Sequence, residues 1–589
     1  MKDFLKQVGA TLVGLVIFCV AAAVLSLVGL MGMLVSSSSN KTLDKNSVLV
    51  LRLDGKLTEQ GGSSIWGELN GESSLSLSDM LSAINKAKTN DRVKGIYVEG
   101  GNFDVSVAQA SELRAALADF KKSGKWILAY ADQYDAVTYY VASVADKVYL
   151  NPVGALDWHG FSGQRIYLKG LADKLGISVV PLKCGKYKSA LETFTNTRMS
   201  DADRQQTSRY VQGLWNEVVT AVSKSRHISA DTLNAYADRY VGLEVTRNLL
   251  KYKMVDELLY ADQLKTIVKE RLGMDSTATV SQITPADMAA LPMDTDGGQV
   301  AVYYAEGDIV DSADPMAQAQ GEQFIVGDRV VDDLDKLADD DDVKAVVMRL
   351  NTGGGSGYAS EQIWHALMRL RAKKPVVVSM SGMAASGGYY VSTAANYVVA
   401  EPATLTGSIG VFSMHVDKTK LFNEKLGITT DAVVTNRNAL LGSEITPMTN
   451  EQNALMQASV NQFYKLFKQR VAQGRHLTMD RVEQLAQGHV YLGSDAKDLG
   501  LVDALGGLGL AVTQAARLAK LDSWHTAAYP DVEDMWSQLL DMATGTTRSR
   551  LDEQLRATLG AYYVPFMQMR ALSGLKGVQA RLPYFLIIK

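Results

Sequence analysis

Val343-Lys344-Ala345-Val346-Val347-Met348-Arg349-Leu350 is an apolar, β-branched run, and the residues after it decide the fold class. Ile363, Leu367 and Leu370 recur at helical spacing, residues 376–379 form a second short apolar run, and another helical pattern begins near Ser386. Strands that alternate with helices imply a parallel sheet joined by right-handed crossovers. The expected class is therefore α/β.

The same pattern occurs twice. Asp91-Arg92-Val93-Lys94 returns as Asp341-Asp342-Val343-Lys344, Tyr139-Tyr140-Val141 as Tyr389-Tyr390-Val391, Arg226-His227 as Arg475-His476, and Val255-Asp256 as Val502-Asp503. The offset moves only from 250 positions (341 − 91) to 247 (502 − 255), which means duplication. A chain of 589 residues is also too long for one core. The reading places a first repeat at 46–284, a linker rich in Pro, Asp and Gly at 285–298, a second repeat at 299–521 and a C-terminal arm at 522–589. The arm ends in an apolar run too short to span a bilayer, so it reads as a packing arm on a neighbouring subunit or as a substrate-like tail.

Ahead of the repeats, no charged residue occurs from Gln7 to Asn40, and residues 8–35 are almost wholly apolar. A bilayer core of about 30 Å needs roughly 20 such residues, more than the apolar part of a cleaved signal peptide. Residues 1–40 are therefore expected to be a membrane anchor ending in a serine-rich spacer. Lys2 and Lys6 before the span are matched by Lys41 and Lys45 after it, so charge does not choose the side. A net charge of −4, mixed throughout, gives no electrostatic case for a nucleic-acid partner. Of the two cysteines, Cys19 lies in the apolar span and Cys184 in the first repeat, so no disulfide is expected.

In repeat register the two copies lack complementary chemistry. Ser386, in Ala385-Ser386-Gly387-Gly388, stands opposite Ala136, while Lys188, in Gly185-Lys186-Tyr187-Lys188-Ser189, stands opposite Asn438. Small residues around a serine at a strand-to-helix turn expose its hydroxyl and aim the N–H of Gly387 at whatever it attacks. They also suit plain helix–sheet packing, but the equivalent turn of the first copy, Asp132-Gln133-Tyr134-Asp135-Ala136, does without them. The glycine-rich turn Asn351-Thr352-Gly353-Gly354-Gly355-Ser356-Gly357 leaves N–H groups free for an anion or oxyanion, and no Walker lysine follows it. A serine needs a base, and a lysine can be one only when neutral. Its ordinary pKa of about 10.4 must fall by roughly three units, worth about 4 kcal/mol, which burial can supply. Taken alone, the surroundings of Lys188 also fit a surface lysine.

Together the Met383-Ala384-Ala385-Ser386-Gly387-Gly388-Tyr389-Tyr390 and Tyr187-Lys188-Ser189 motifs resemble those of the signal peptide peptidase A family, membrane-anchored Ser/Lys proteases of bacteria, in their long, duplicated form. The likeness runs from the anchor to about residue 520. The glycine turn resembles the family's Asn-Ser-Pro-Gly-Gly, with Thr352 and Gly353 in place of Ser and Pro. The resemblance implies a Clp/crotonase-like α/β fold, Ser386 as nucleophile and Lys188 as general base from different repeats, and Ser408 hydrogen-bonded to the lysine amine. It implies oxyanion donors at Gly387 and at Gly354, with Gly355 as a competing assignment. It further implies signal-peptide remnants as substrates, a homotetramer, a catalytic body on the outer side of the cytoplasmic membrane, and a lipid bilayer contacted through residues 8–35. No cofactor or metal is expected, since no His/Cys cluster has ligand spacing.

Three rivals stand beside this reading. His415, 29 positions after Ser386 (415 − 386) and followed by Asp417, could serve a Ser-His-Asp site. The glycine N–H groups could hold an acyl-thioester enolate without a covalent serine. The chain could also be a membrane scaffold with an extinct site.

Overall fold

The computed structural model describes residues 14, 43–61, 75–292, 295–313, 322–531 and 579–581. The expected anchor (apart from Gly14), the serine-rich spacer and the terminal apolar run lie outside the described residues. Among the described residues no helix is long and apolar enough to cross a membrane.

Each repeat builds the expected α/β layer. In the first, Ser47–Thr58, Val93–Asp104, Trp126–Tyr134 and Lys147–Leu156 pair side by side in parallel. In the second, Gly298–Glu306, Val343–Thr352, Val376–Ala385 and Tyr397–Ala400 do the same. The run at 343–350 is buried along almost its whole length because helices cover both faces of a parallel sheet. Ile363, Leu367 and Leu370 lie on the buried face of the helix Gly357–Lys373, as their spacing requires. The stretch expected to link the repeats contains the helix Pro285–Ala289, with Met288 buried and Lys86 Nζ donating to the carbonyls of Ala289 and Leu291. Past residue 521, Trp524–Tyr529 adds a parallel strand beside Gly298–Glu306.

The repeated landmarks turn out to be structural. Helices Asp201–Arg226 and Asn450–Arg475, each 26 residues long, end on His227 and His476 in the left-handed conformation. The preceding arginines reach back to the sheet: Arg226 Nη1 lies 2.8 Å from Asp256 Oδ2, and Arg475 Nη2 lies 2.7 Å from Asp503 Oδ1. Those aspartates also accept the N–H of Val148 and of Val398. Tyr139 and Tyr389 donate to the carbonyls of Met254 and Leu501.

Among the contacts that join the repeats, a strand ribbon and an ionic cluster stand out. Ser178–Cys184 of the first pairs antiparallel with Val411–Asp417 of the second over seven residue pairs, from Cys184↔Val411 to Ser178↔Asp417. The other is a buried ionic cluster. Arg349 of the second repeat binds Glu59 Oε2 at 2.7 Å and Glu112 Oε2 at 2.6 Å, both of the first, together with Ser379 Oγ at 2.9 Å.

Two carboxyls near this cluster carry raised pKa values. Burial, then the charge of Glu59, pushes Glu306 up to about 7; burial, then Glu112, pushes Glu401 up to about 8. Unfolded, both would ionise near their ordinary 4.5, so between that pH and about 8 the folded chain binds more protons. Stability is therefore expected to fall as pH rises from about 5 to 8. Urea midpoints measured across that range should decline, and Glu306→Gln with Glu401→Gln should flatten the decline; an unchanged slope would refute the assignment.

Candidate active site

Register brings the candidate residues together. Ala385 pairs in parallel with Gly407, so the next residues, Ser386 and Ser408, leave adjacent strands side by side. Cys184 pairs with Val411 in the antiparallel ribbon, so the segment running on to Lys188 emerges at the end where Ser408 enters. Ser386 sits at φ 55°, ψ −111° on a sharp turn, its N–H donated to the carbonyl of Gly407 at 2.8 Å. Its carbonyl accepts the Tyr390 N–H at 2.8 Å and so begins the helix Gly387–Ser392. A non-glycine residue in this region costs about 1–3 kcal/mol and persists only where its surroundings hold it.

Lys188 Nζ lies 2.7 Å from Ser386 Oγ, 2.9 Å from Ser408 Oγ and 3.1 Å from the carbonyl oxygen of Ser408. Lys188, Ser386 and Ser408 are all fully buried. Desolvation alone holds the amine well below its ordinary value of 10.5. A neutral amine has two N–H groups and one lone pair. The two oxygens of Ser408 can take both N–H groups, which leaves the lone pair for the hydroxyl proton of Ser386.

The chain around the lysine is set mostly by residues that the sequence did not single out. Gly488 has φ +75°, and a Cβ there would stand 2.8 Å from the Lys188 backbone nitrogen and Cβ. Gln487 accepts the Tyr187 N–H at 2.9 Å. Gln206 donates to the Tyr187 carbonyl at 2.9 Å and accepts the Val490 N–H at 3.2 Å, bridging the repeats. Ser189 Oγ donates to Asp203 Oδ1 at 2.6 Å, and Arg165 pairs with the same carboxylate. Of these residues, only Ser189 lay within a motif quoted from the sequence.

On the other side of Ser386, the turn Gly354–Ser356 comes close. A Cβ on Gly354, at φ +98°, would stand 2.7 Å from the Gly387 nitrogen, and one on Gly387 would stand 3.2 Å from the Gly355 nitrogen. The N–H of Gly354 is donated to Thr352 Oγ1 at 3.0 Å. His415 lies on Val411–Asp417 opposite Val180, buried, with its Nε2 unpartnered among the described residues. Burial lowers its pKa despite the opposing charge of Asp417. The side-chain hydrogen bond at Ser386 Oγ involves Lys188 and not this histidine. No group of three or more His, Cys, Asp or Glu fit to hold a metal occurs among the described residues.

A buried serine at a strand-to-helix turn with a buried amine in reach of its hydroxyl is an arrangement suited to serine-type hydrolysis, and the comparisons with known proteins give the class. The model of peptidase family S49 matches residues 119–275 and 368–522, once in each repeat. Protease 4 of Salmonella typhi is 36% identical over 551 residues, covering 90% of this chain and 87% of the relative. Protease 4 of Haemophilus influenzae is 33% identical over 569 residues, covering 91% and 90%. The chloroplastic serine protease SPPA of Arabidopsis thaliana is 28% identical over 546 residues, covering 91% and 78%. The chain belongs to peptidase family S49 and is a serine-type endopeptidase.

Proposed function

We propose that the chain is a membrane-anchored peptidase that degrades remnant signal peptides and other extended apolar peptides through a Ser386/Lys188 dyad on a Clp/crotonase-like fold. The observation that carries this reading is the 2.7 Å approach of a buried amine to a buried hydroxyl, with Ser408 occupying the amine's own donors. Ser386 Oγ attacks the scissile carbonyl while Lys188 Nζ takes its proton. The resulting ammonium protonates the departing amine, and the free amine then draws a proton from the water that hydrolyses the acyl-enzyme. The Gly387 N–H stabilises the oxyanion; since Gly354 already donates to Thr352, Gly355 is favoured as the second donor. Both dyad residues come from one chain, so a tetramer would shape access to the site rather than complete it. Residues 8–35 would hold this body on the outer face of the cytoplasmic membrane.

A fluorophosphonate probe should label the wild-type chain on Ser386, located by peptide mass spectrometry, and Ser386→Ala should take no label. Labelling elsewhere, or none with retained turnover of an acyl thioester, would refute the proposal. His415→Ala should be labelled as the wild type is.

A further inference from the structure

His489 reaches the lysine base from two sides. Ser408 sits at φ 51°, in the left-handed region that a serine rarely adopts, and donates its N–H to the His489 carbonyl at 2.7 Å. That bond fixes the residue whose two oxygens take the Lys188 amine. The imidazole of the same His489 stands edge-on against Tyr187, the residue before Lys188, with ring centroids 4.4 Å apart at 75°. It also packs against Tyr491, at 4.3 Å and 31°. Both tyrosines are tied at their hydroxyls, Tyr187 to Gln205 Oε1 at 3.0 Å and Tyr491 to the Leu485 carbonyl at 3.0 Å. Tyr491 belongs to the strand Val490–Leu492, which pairs antiparallel with Leu405–Gly407, the strand that ends at Ser408. The ring therefore joins the lysine segment of the first repeat to the strands of the second that carry Ser408.

The ring works as a neutral, apolar body. Its Nδ1 is buried without a hydrogen-bond partner among the described residues. Burial lowers its pKa to about 4, against smaller rises from the backbone of Val490 and the charge of Asp495 and alongside a lowering by Lys186. At neutral pH it therefore adds no charge to repel the ammonium that forms on Lys188. A Cβ on the neighbouring Gly488 would already collide with the Lys188 backbone, so the segment that carries His489 lies directly on the lysine. We infer that His489 is a positioning residue for the base: it locks Ser408 through its carbonyl and Tyr187 through its ring, and so keeps the Lys188 amine dry and aimed at Ser386. The inference rests on the Ser386/Lys188 reading and adds to it the aromatic support that holds the amine in place. A catalytic group must stay within about 0.5 Å of its working position, and packed neighbours of this kind are what hold it there.

The test uses the full-length chain and a fluorogenic apolar peptide, with kcat and KM measured across pH. His489→Ala keeps the main-chain bond to Ser408 and removes the ring. Its kcat should fall about thirtyfold with KM within about twofold, and the acid limb of kcat/KM should move up by about one pH unit, because a wetter amine is protonated more readily. His489→Phe supplies a flat ring without nitrogens and should keep kcat within about threefold and the limb in place. Tyr187→Leu removes the ring's partner from the other repeat and should repeat the alanine result, so it carries the same reading should His489→Ala fail to fold. A ring with only a structural role would lower the thermal midpoint and leave the acid limb unmoved, and an unmoved limb in the folded variant would overturn the inference. So would a loss in His489→Phe as large as that in His489→Ala, which would assign the role to the ring nitrogens. Failure of Ser386 to take the fluorophosphonate in the wild type would overturn the dyad instead.

Discussion

Lys188→Met is expected to lower kcat/KM by about ten-thousand-fold or more while the protein stays folded. Methionine keeps most of the buried hydrocarbon, so packing changes little, but it has no lone pair to take the Ser386 proton. Ser408 loses the donors that now reach its hydroxyl and carbonyl oxygens, and the Ser386 hydroxyl loses its lysine partner. Thermal unfolding should report a retained fold, and fluorophosphonate labelling of Ser386 should be lost. Arginine at the same place cannot substitute, since a guanidinium does not deprotonate in the working range. In the wild type the amine must be neutral to work, so kcat/KM should rise with pH along an acid limb whose midpoint lies well below 10.5. Retained activity in Lys188→Met, or a limb set by a histidine-like pKa that His415→Ala abolishes, would move the base role to His415.

Arg349→Ala is expected to destabilise the protein by about 3–5 kcal/mol and to loosen one repeat from the other. Arg349 is buried with Glu59 and Glu112, and its charge is their nearest compensation. Burial by itself would lower the guanidinium's pKa, and the two carboxylates outweigh that and raise it. Removing the cation leaves two buried carboxylates without their counter-charge, close to Glu306 and Glu401, which already hold their protons up to about 7 and about 8. Replacing all three, as Arg349→Met with Glu59→Gln and Glu112→Gln, should recover much of the loss, because the cost lies in the unpaired charges rather than in the missing contacts. Urea denaturation at pH 7 measures both. A single-variant loss below about 1 kcal/mol would show that water reaches the cluster.

The two sites differ in how far the linear chain disclosed them. Ser386 could be read from its neighbours, because the small-residue run Ala384-Ala385-Ser386-Gly387-Gly388 is not required by the strand-to-helix turn itself: the equivalent turn of the first copy is Asp132-Gln133-Tyr134-Asp135-Ala136. Lys188 could not be read the same way. Its charge state follows from burial, and burial is imposed by Gly488 and Gln487, some 300 positions away (488 − 188), and by the pairing of Ser178–Cys184 with the other repeat. Arg349 read only as part of an apolar strand, since its carboxylate partners lie 290 and 237 positions away. The arm's Gln579–Arg581 could be placed by no local pattern, because a three-residue strand is specified by the edges it joins.

By itself, then, the sequence determined the α/β class, the duplication, the elbow that carries Ser386 and the complementary loss of one chemical group from each copy. Those features are written in periodicity, turn chemistry and internal comparison, which act over a few residues or between equivalent ones. Tertiary structure alone decided that the two repeats share an antiparallel ribbon, that the lysine is dry and within reach of the serine in one chain, and that residues 579–581 lie against the glycine turn. Desolvation and strand pairing depend on what distant segments bring to a point in space, and no local spacing along the chain encodes that.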